Sequence, residues 1–579
     1  MSSSETTPAV ARGADPVTTE IVRQALNAAA EQMKRALIRT SFSPVIYEVL
    51  DFAAALYDRD VCLLSQAPTL PTFMGTMSFC VNEAVEAVGG EAALEPGDII
   101  LYNVPYGTGS HPQDVAVVMP VYLQGDGTDG ELIGYSAIKA HWLDIGGKDP
   151  YSTDTVDVFQ EGTIFPGVKL FSRGRLVSDI YRMATANSRV PKMVAGDINA
   201  LVVGVRAGAA ALDRVVQRHG VQTFRDCVER MYAAGEAVVR SWFDQLPDGR
   251  YVGRGEMDSD GISDERVPFE LAIDIAGSDV TVDYMNAPPE RPGPINCPRP
   301  STVSATRIAI AMIAGGGEAP NEGHFRAIEV LTKPGTLFHP LPPAPCFLYG
   351  WAGDQAMEAI YQALFGALPE AVPACSGGDI CALVFWGTRP GTKEPWTDGG
   401  PHAVGQGGHV RGDGQSGTMH ISEASTRVAS IEVAEAKNPW LMDRVELAQD
   451  SAGAGRHRGG LGVDYSFRFL EDAYMTTTVE RTKNAPWGLA GGTEARPNAL
   501  DVELPDGTVT PYSKATRVAL PAGAVVRLHT GGGGGYGPPS ERDAQAVRDD
   551  VRDGYLSEAR ARADYPHAFE DANNAGDAA

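Results

Sequence analysis

The segment from His111 to Leu143 constrains this chain most, because His111-Pro112-Gln113-Asp114 leads straight into a pair of apolar runs. The runs, 114–123 and 131–143, flank a polar, glycine-rich stretch from Gly125 to Gly130. That pattern predicts two antiparallel strands joined by a longer turn. A turn centred on Gly127 and Thr128 sets Asp114 opposite His141, and cross-strand partners hold their Cβ atoms about 4.5–5.5 Å apart. His111 precedes Asp114 by three positions. Two imidazoles and a carboxylate thus converge through local pairing alone, although a register slip of one residue would turn His141 to the opposite face. The set suits a borderline divalent ion, Zn²⁺, Mn²⁺ or Fe²⁺, with positions left open for water or substrate. A plainer arrangement fits the same residues: a loop-capping His111, a turn-accepting Asp114 and a hydrogen-bonded core histidine at 141.

A chain of 579 residues exceeds one ordinary core and points to about three or four domains. Apolar content of 43% and charged content of 21% are those of a soluble globular protein. No apolar run reaches the ~18–20 residues of a membrane span. The N-terminus lacks the charged-then-apolar order of a signal peptide, so a cytoplasmic protein is expected. A net charge of −26, spread along the chain, argues against a nucleic-acid partner, which needs a basic footprint. Seven cysteines, none spaced CxxC, argue against disulfides and against a thiolate zinc site.

The expected fold class is α+β, in several subdomains with large antiparallel sheets and flanking helices. A tail over 1–15 precedes an N-terminal domain over 16–245 that holds the candidate metal site. A β-rich segment and linker over 246–300 follow, then an α+β region over 301–537 and a closing helix and tail over 538–579. Residues 16–40 read as a helix capped by Thr18 or Thr19, with Ile21, Ala25, Ala29, Met33 and Leu37 as its buried stripe. LDFAAALYDRDVCLLSQA reads as strands 51–57 and 61–66 turning at Asp58-Arg59-Asp60, with Asp51 an acid at the strand edge. Asp197 falls near the start of a helix over 196–219, where a carboxylate suits the helix dipole. His402, His409 and His420 match no metal spacing and read as loop residues. Neither Gly531 to Gly535 nor Gly453 to Gly462 is a phosphate loop, since neither has the form GxxxxGK[ST] or a GxGxxG opening a helix after a strand.

Several blocks, taken in order, resemble the hydantoinase B/oxoprolinase family. They are the opening helix, LDFAAALYD, HPQD, AHWLDIGG, FQEG, AGAGRHRGG and the ending GGGGGYGPPSERDAQAVRDDVRDG, and they span residues 15 to about 560. The family holds second subunits of ATP-dependent N-methylhydantoinase, the C-terminal half of 5-oxoprolinase, caprolactamase, and the acetone and acetophenone carboxylases. The resemblance implies a divalent metal, Mn²⁺ or Zn²⁺, held by His111, Asp114 and His141. Asp51 matches the aspartate of the family's DFS-like strand, which implies a further ligand or the base that activates water. The resemblance also implies a hetero-oligomer in which ATP is handled by a separate hydantoinase A-like subunit that phosphorylates the amide or enol oxygen of the substrate.

One position departs from the family. Within Leu70 to Gly75, where members often carry a histidine, this chain has Phe73, which makes the pocket more apolar and suits a polar hydantoin or oxoproline less well. The expected function is the metal-bearing subunit of an ATP-dependent cyclic-amide hydrolase. The alternatives are a ketone carboxylase subunit, for which Phe73 and Trp142 are apolar hints, and a non-catalytic scaffold.

Overall fold

Helix α1 (Pro16–Thr40) follows Asp15, whose carboxylate accepts the N–H groups of Val17 and Thr18. Asp15 is therefore the cap, not Thr18 or Thr19; its side chain meets first-turn donors that have no partner within the helix. The buried stripe runs through Val22, Leu26, Ala29, Ala30, Met33 and Leu37. Ile21 is 46% exposed, because a strict four-residue spacing drifts around a helix of about 3.6 residues per turn. The computed structural model describes residues 14–124, 130–314 and 319–569. Residues 1–13 and 570–579 of the expected tails and 125–129 of the expected turn lie outside them.

The stripe packs on α2 (Pro191–His219), and the two helices cover one face of a seven-stranded antiparallel sheet. Its strands are β1 (Phe52–Asp58), β2 (Leu63–Gln66), β3 (Ile99–Tyr102), β4 (Asp114–Tyr122), β5 (Leu132–His141), β6 (Pro166–Ser172) and β7 (Arg175–Leu176). They lie in the order β2-β1-β5-β4-β3-β6-β7. Side chains alternate across a strand, so Phe52, Ala54, Val115, Val117 and Ile138 face the two helices. Ala53, Ala55, Val118, Tyr135 and Ala137 face the other way, toward the helix Met77–Ala87. With both faces covered, β5 is buried along its whole length.

By length and composition α2 could cross a membrane. Its apolar side instead closes the core, and a Cβ on Gly204 or Gly208 would stand 2.4 Å from Ile138 or Met33. Asp197 is not at its start but two turns in, where Oδ1 accepts the N–H groups of Phe42 and Ser43 at 2.7 and 3.0 Å. That pair of bonds ties the end of α1 to α2.

A second sheet holds 249–257, 267–276 and 279–283 as antiparallel neighbours, with 328–331 parallel to the last. Helix α3 (Val221–Phe243) leads into it, α5 (Tyr349–Leu364) lies across 249–257, and α4 (Arg299–Ala314) packs on α5. Two more antiparallel sheets, of four and five strands, share a core of Phe385, Trp440, Phe467 and Phe469. The architecture is α+β, as expected.

The glycine runs make the closest backbone packing. Gly531 to Gly535 threads between the segments at 405–408, 453–460 and 488–493. Gly533, Gly534 and Gly535 donate to the carbonyls of Gly460, Cys375 and Thr493, and Gly453 donates to the carbonyl of Gly533. A Cβ on Gly533 would sit 1.9 Å from the Gln406 carbonyl oxygen. Backbone on both sides leaves nothing that can move aside, so Gly533→Ala is expected to cost about 3 kcal/mol. The loss is read as a lower melting temperature or a lower soluble yield, and a variant that melts with the wild type would contradict the packing.

Burial pushes the Asp197 carboxyl up to about 6, against the pull of the Phe42 and Ser43 N–H groups. Because the folded value lies above the unfolded one, its contribution to stability is fully present below about 3.9 and is lost as pH rises through about 6. Asp197→Asn keeps an acceptor for both N–H groups. Its melting temperature is expected to gain on the wild type as pH is raised from about 4 to about 7, and a pH-independent difference would contradict this.

Candidate metal centre

Three neighbouring strands deliver the candidate residues to one end of the first sheet. β4 and β5 pair with Asp114 opposite His141, as expected, although the ladder shifts by one residue between Val121 and Tyr122 near the turn. β1 pairs with β5 as Phe52 opposite Ala140, so Asp51 falls beside His141, and its carbonyl accepts the His141 N–H at 3.1 Å. By alternation all three side chains project from the face away from α1 and α2. A strained turn presents Asp51: Val45–Val49 is a π-helical turn and Leu50 has φ of 68°. A residue other than glycine pays in strain for that conformation, and such strain concentrates at functional sites.

His111 arrives from the loop before β4. Its Nε2 lies 3.0 Å from Asp114 Oδ1 and 3.1 Å from His141 Nδ1, and His141 Nδ1 lies 2.9 Å from Asp114 Oδ1. His111 Nδ1 is 2.9 Å from the Phe347 carbonyl oxygen. A carbonyl only accepts, so Nδ1 carries the proton and the neutral ring presents a lone pair at Nε2. The Tyr349 hydroxyl donates to Asp114 Oδ2 at 3.2 Å, which leaves Oδ1 turned toward the histidines. Lone pairs of buried groups therefore converge on one point, an arrangement that calls for a proton or a cation between them.

The electrostatics agree. Burial alone would push the Asp114 carboxyl up, but the two histidines outweigh it and hold it well below the usual carboxylate range. Burial disfavours protonated His141, yet its hydrogen bond to Asp114 and the nearby Asp51 raise it overall. Burial pushes Asp51 to about 7, with His141 and Lys139 opposing and Asp114 adding to the shift. Asp51 Oδ1 is shut from solvent without a hydrogen-bond partner. Two imidazole nitrogens and a carboxylate oxygen within 4.8 Å of one another form a donor set that zinc, manganese and iron accept.

The supports of this centre come from far along the chain. Glu161 Oε1 accepts the N–H groups of Cys346 and Phe347 at 2.8 Å each and the Thr155 hydroxyl at 3.0 Å. It thereby fixes the carbonyl that holds His111. In the sequence Glu161 stands out only within FQEG, and nothing marks Phe347 or Tyr349, which lie 236 and 235 positions from their partners.

A cleft of about 860 Å³, counted out to its mouth, opens on the three donors. Phe73 lines it, with Val49, Leu70, Tyr151 and Trp351, and so do the carboxylates Asp51, Asp354, Asp398 and Glu423. Trp142 does not: it is fully buried against Phe165, with ring centroids 6.1 Å apart, because it belongs to the helix-covered side of the sheet. His402, His409 and His420 stay apart. His402 donates to the Cys381 carbonyl, His409 bridges to Gly412, and His420 lies between Asp354 and Glu358. Arg458, in the second glycine run, pairs with Asp550 at 3.0 Å.

Residues 15–539 match the Hydantoinase B/oxoprolinase family profile. The chain belongs to the hydantoinase B/oxoprolinase family. It is 30% identical over 570 residues to a putative D-/L-hydantoinase subunit from Pseudomonas sp. (strain NS671), covering 95% of each chain. Its fold is that of the ATP-dependent caprolactamase from Pseudomonas jessenii, with a TM-score of 0.88, 27% identity and 96% of both chains covered. The nucleotide-free acetone carboxylase shares the fold at a TM-score of 0.85 and 19% identity, over 95% of this chain and 79% of that one.

In this hydantoinase B/oxoprolinase chain, burial pushes Glu161 up to about 8, so near neutrality it is largely a neutral acceptor. Glu161→Gln is expected to leave Zn²⁺ or Mn²⁺ affinity, measured by chelator competition, near that of the wild type. Glu161→Ala frees the Phe347 carbonyl and is expected to weaken affinity by about 10–100-fold. Equal affinities for the two variants would contradict this role.

Proposed function

We propose that this chain is the metal-bearing subunit of an ATP-dependent cyclic-amide hydrolase, opening a lactam- or hydantoin-type ring that a partner subunit activates. The convergence of His111 Nε2, His141 Nδ1 and Asp114 Oδ1 beside Asp51 carries this reading. A divalent ion held by those three atoms, Mn²⁺ or Zn²⁺, would supply Lewis acidity and lower the pKa of water toward about 7.

The chain's own groups do the rest. Asp51, whose carboxyl stands near 7 without such an ion, is drawn downward by a neighbouring positive charge and so takes a proton from the attacking water as its base. The Phe347 carbonyl and the Tyr349 hydroxyl hold His111 and Asp114 in place. Phe73, Leu70, Val49 and Trp351 give the cleft an apolar half that fits ring methylenes and keeps out bulk water. Likeness to a caprolactamase over 96% of both chains supports a lactam-like ring.

An ATP-binding, hydantoinase A-like partner in a hetero-oligomer would phosphorylate the amide oxygen, turning a poor electrophile into an activated one. The Pseudomonas relative is named as one subunit of a hydantoinase, which supports such a partner. Within this chain the N–H groups of Gly533, Gly534 and Gly535 already donate to backbone carbonyls, so the glycine run has none of them free for phosphate.

The test is metal content and ATP-dependent turnover of the complex with its partner on lactams, hydantoins and ketones, with and without bicarbonate. His111→Ala and His141→Ala are expected to lose the metal, and kcat is expected to fall about 10³-fold, the equivalent of several kcal/mol. Ketone turnover that requires bicarbonate would assign the site to carboxylation instead. Metal and activity unchanged in both variants would overturn the reading.

A further inference from the structure

The α5 wall of the same cleft carries a second set of titratable groups that the metal centre does not use. Asp354 lines the cleft and is 2% exposed, and its Oδ2 is shut from solvent without a hydrogen-bond partner. Behind it stands His420, fully buried, with Nδ1 3.5 Å from Asp354 Oδ1 and 2.8 Å from the Ser422 hydroxyl oxygen. His420 Nε2 lies 3.5 Å from Glu358 Oε1, which accepts the Ser376 hydroxyl at 2.5 Å. Carboxyl, imidazole and carboxyl thus form a buried file held by charge and not by hydrogen bonds, since Asp354 Oδ2 and His420 Nε2 both lack a hydrogen-bond partner. Burying such groups is costly unless they are paired or put to use, and a buried acid of this kind lining a reaction cleft is suited to holding a proton and giving it up.

We propose that Asp354, backed by His420 and Glu358, is the acid that protonates the ring nitrogen as it leaves. The step rests on the hydrolase reading above. The ring nitrogen of an O-phosphorylated cyclic amide carries no hydrogen. Water adds its oxygen to the ring carbon, the carbon–nitrogen bond breaks with its electron pair staying on nitrogen, and the carbon departs as an acyl phosphate. The nitrogen gains two protons and leaves as an amine, while the water loses two on the side of the cleft that holds Asp51. Protons taken up on one wall are thus balanced by protons released from the other. Asp354 delivers them, regaining its proton from water in the cleft, while His420 and Glu358 set the charge around it.

Burial raises the Asp354 carboxyl to about 6, opposed chiefly by His420, so part of it keeps a proton near neutrality. The other charged groups facing the file are Glu423, Asp379 and Arg481. Removing His420 removes a positive charge that favours ionised Asp354, so its proton is then held to higher pH.

The test compares two rings in the complex with its partner subunit: a lactam, whose leaving nitrogen is a basic alkylamine, and a hydantoin, whose leaving nitrogen is acidified by a neighbouring carbonyl. Asp354→Asn keeps the side chain's shape. It is expected to lower kcat on the lactam by about 10²–10⁴-fold with KM little changed, to lower it far less on the hydantoin, and to leave metal content and melting temperature at wild-type values. His420→Asn is expected to shift the alkaline fall of kcat to higher pH, a change that a merely structural role would not produce. Wild-type kcat on the lactam, an equal loss on both rings, or loss of metal in Asp354→Asn would overturn the assignment. A wild-type complex that opens neither ring overturns the hydrolase reading, and this step with it.

Discussion

The ladder between β4 and β5 is the constraint on which the rest depends. Pairing Asp114 with His141 places both on the face away from the long helices, and β1 on the other side of β5 adds Asp51 to the same row. A strand has a period of two, so a one-residue slip would send His141 into the apolar layer under α1 and α2 and bring Trp142 out. The dense packing of β5 on both faces excludes that slip, because every alternate residue already has its place in one of two cores. Fold stability and site geometry are enforced by the same hydrogen bonds.

Converging lone pairs repel one another, and the protein holds them together through groups brought from elsewhere. Phe347 holds His111 by its carbonyl, Glu161 holds Phe347 by its N–H, and Tyr349 takes the spare oxygen of Asp114. Tyr349 also opens α5, whose next turn carries Asp354. One helix therefore braces the metal-capable donors and brings Asp354 to the lining of the same cleft.

The glycine bundle serves the same end at a distance. Gly534 donates to the Cys375 carbonyl and Gly377 donates to the Gly405 carbonyl, so the segment holding Ser376 is fixed on both sides of the residue that binds Glu358. Backbones this close leave no room for a Cβ. The run is a scaffold in which the N–H groups of Gly533, Gly534 and Gly535 are already in use.

Local pattern alone determined the central hairpin, its register, the first helix, the α+β class and the convergence of His111, Asp114 and His141, because each depends on spacings of a few residues and on alternation within one strand. The family's ordered blocks added Asp51, and the strand pairing then set it beside His141. Tertiary structure alone decided the burial of Asp197, the withdrawal of Trp142 from the cleft, and the places of Glu161, Phe347, Tyr349, Asp354 and His420 around it. Those residues lie scores to hundreds of positions from their partners, and a hydrogen bond between distant segments leaves no periodic trace in either one. Spacing encodes what a single element can arrange by itself, while the wall that faces it is set only when separate elements pack.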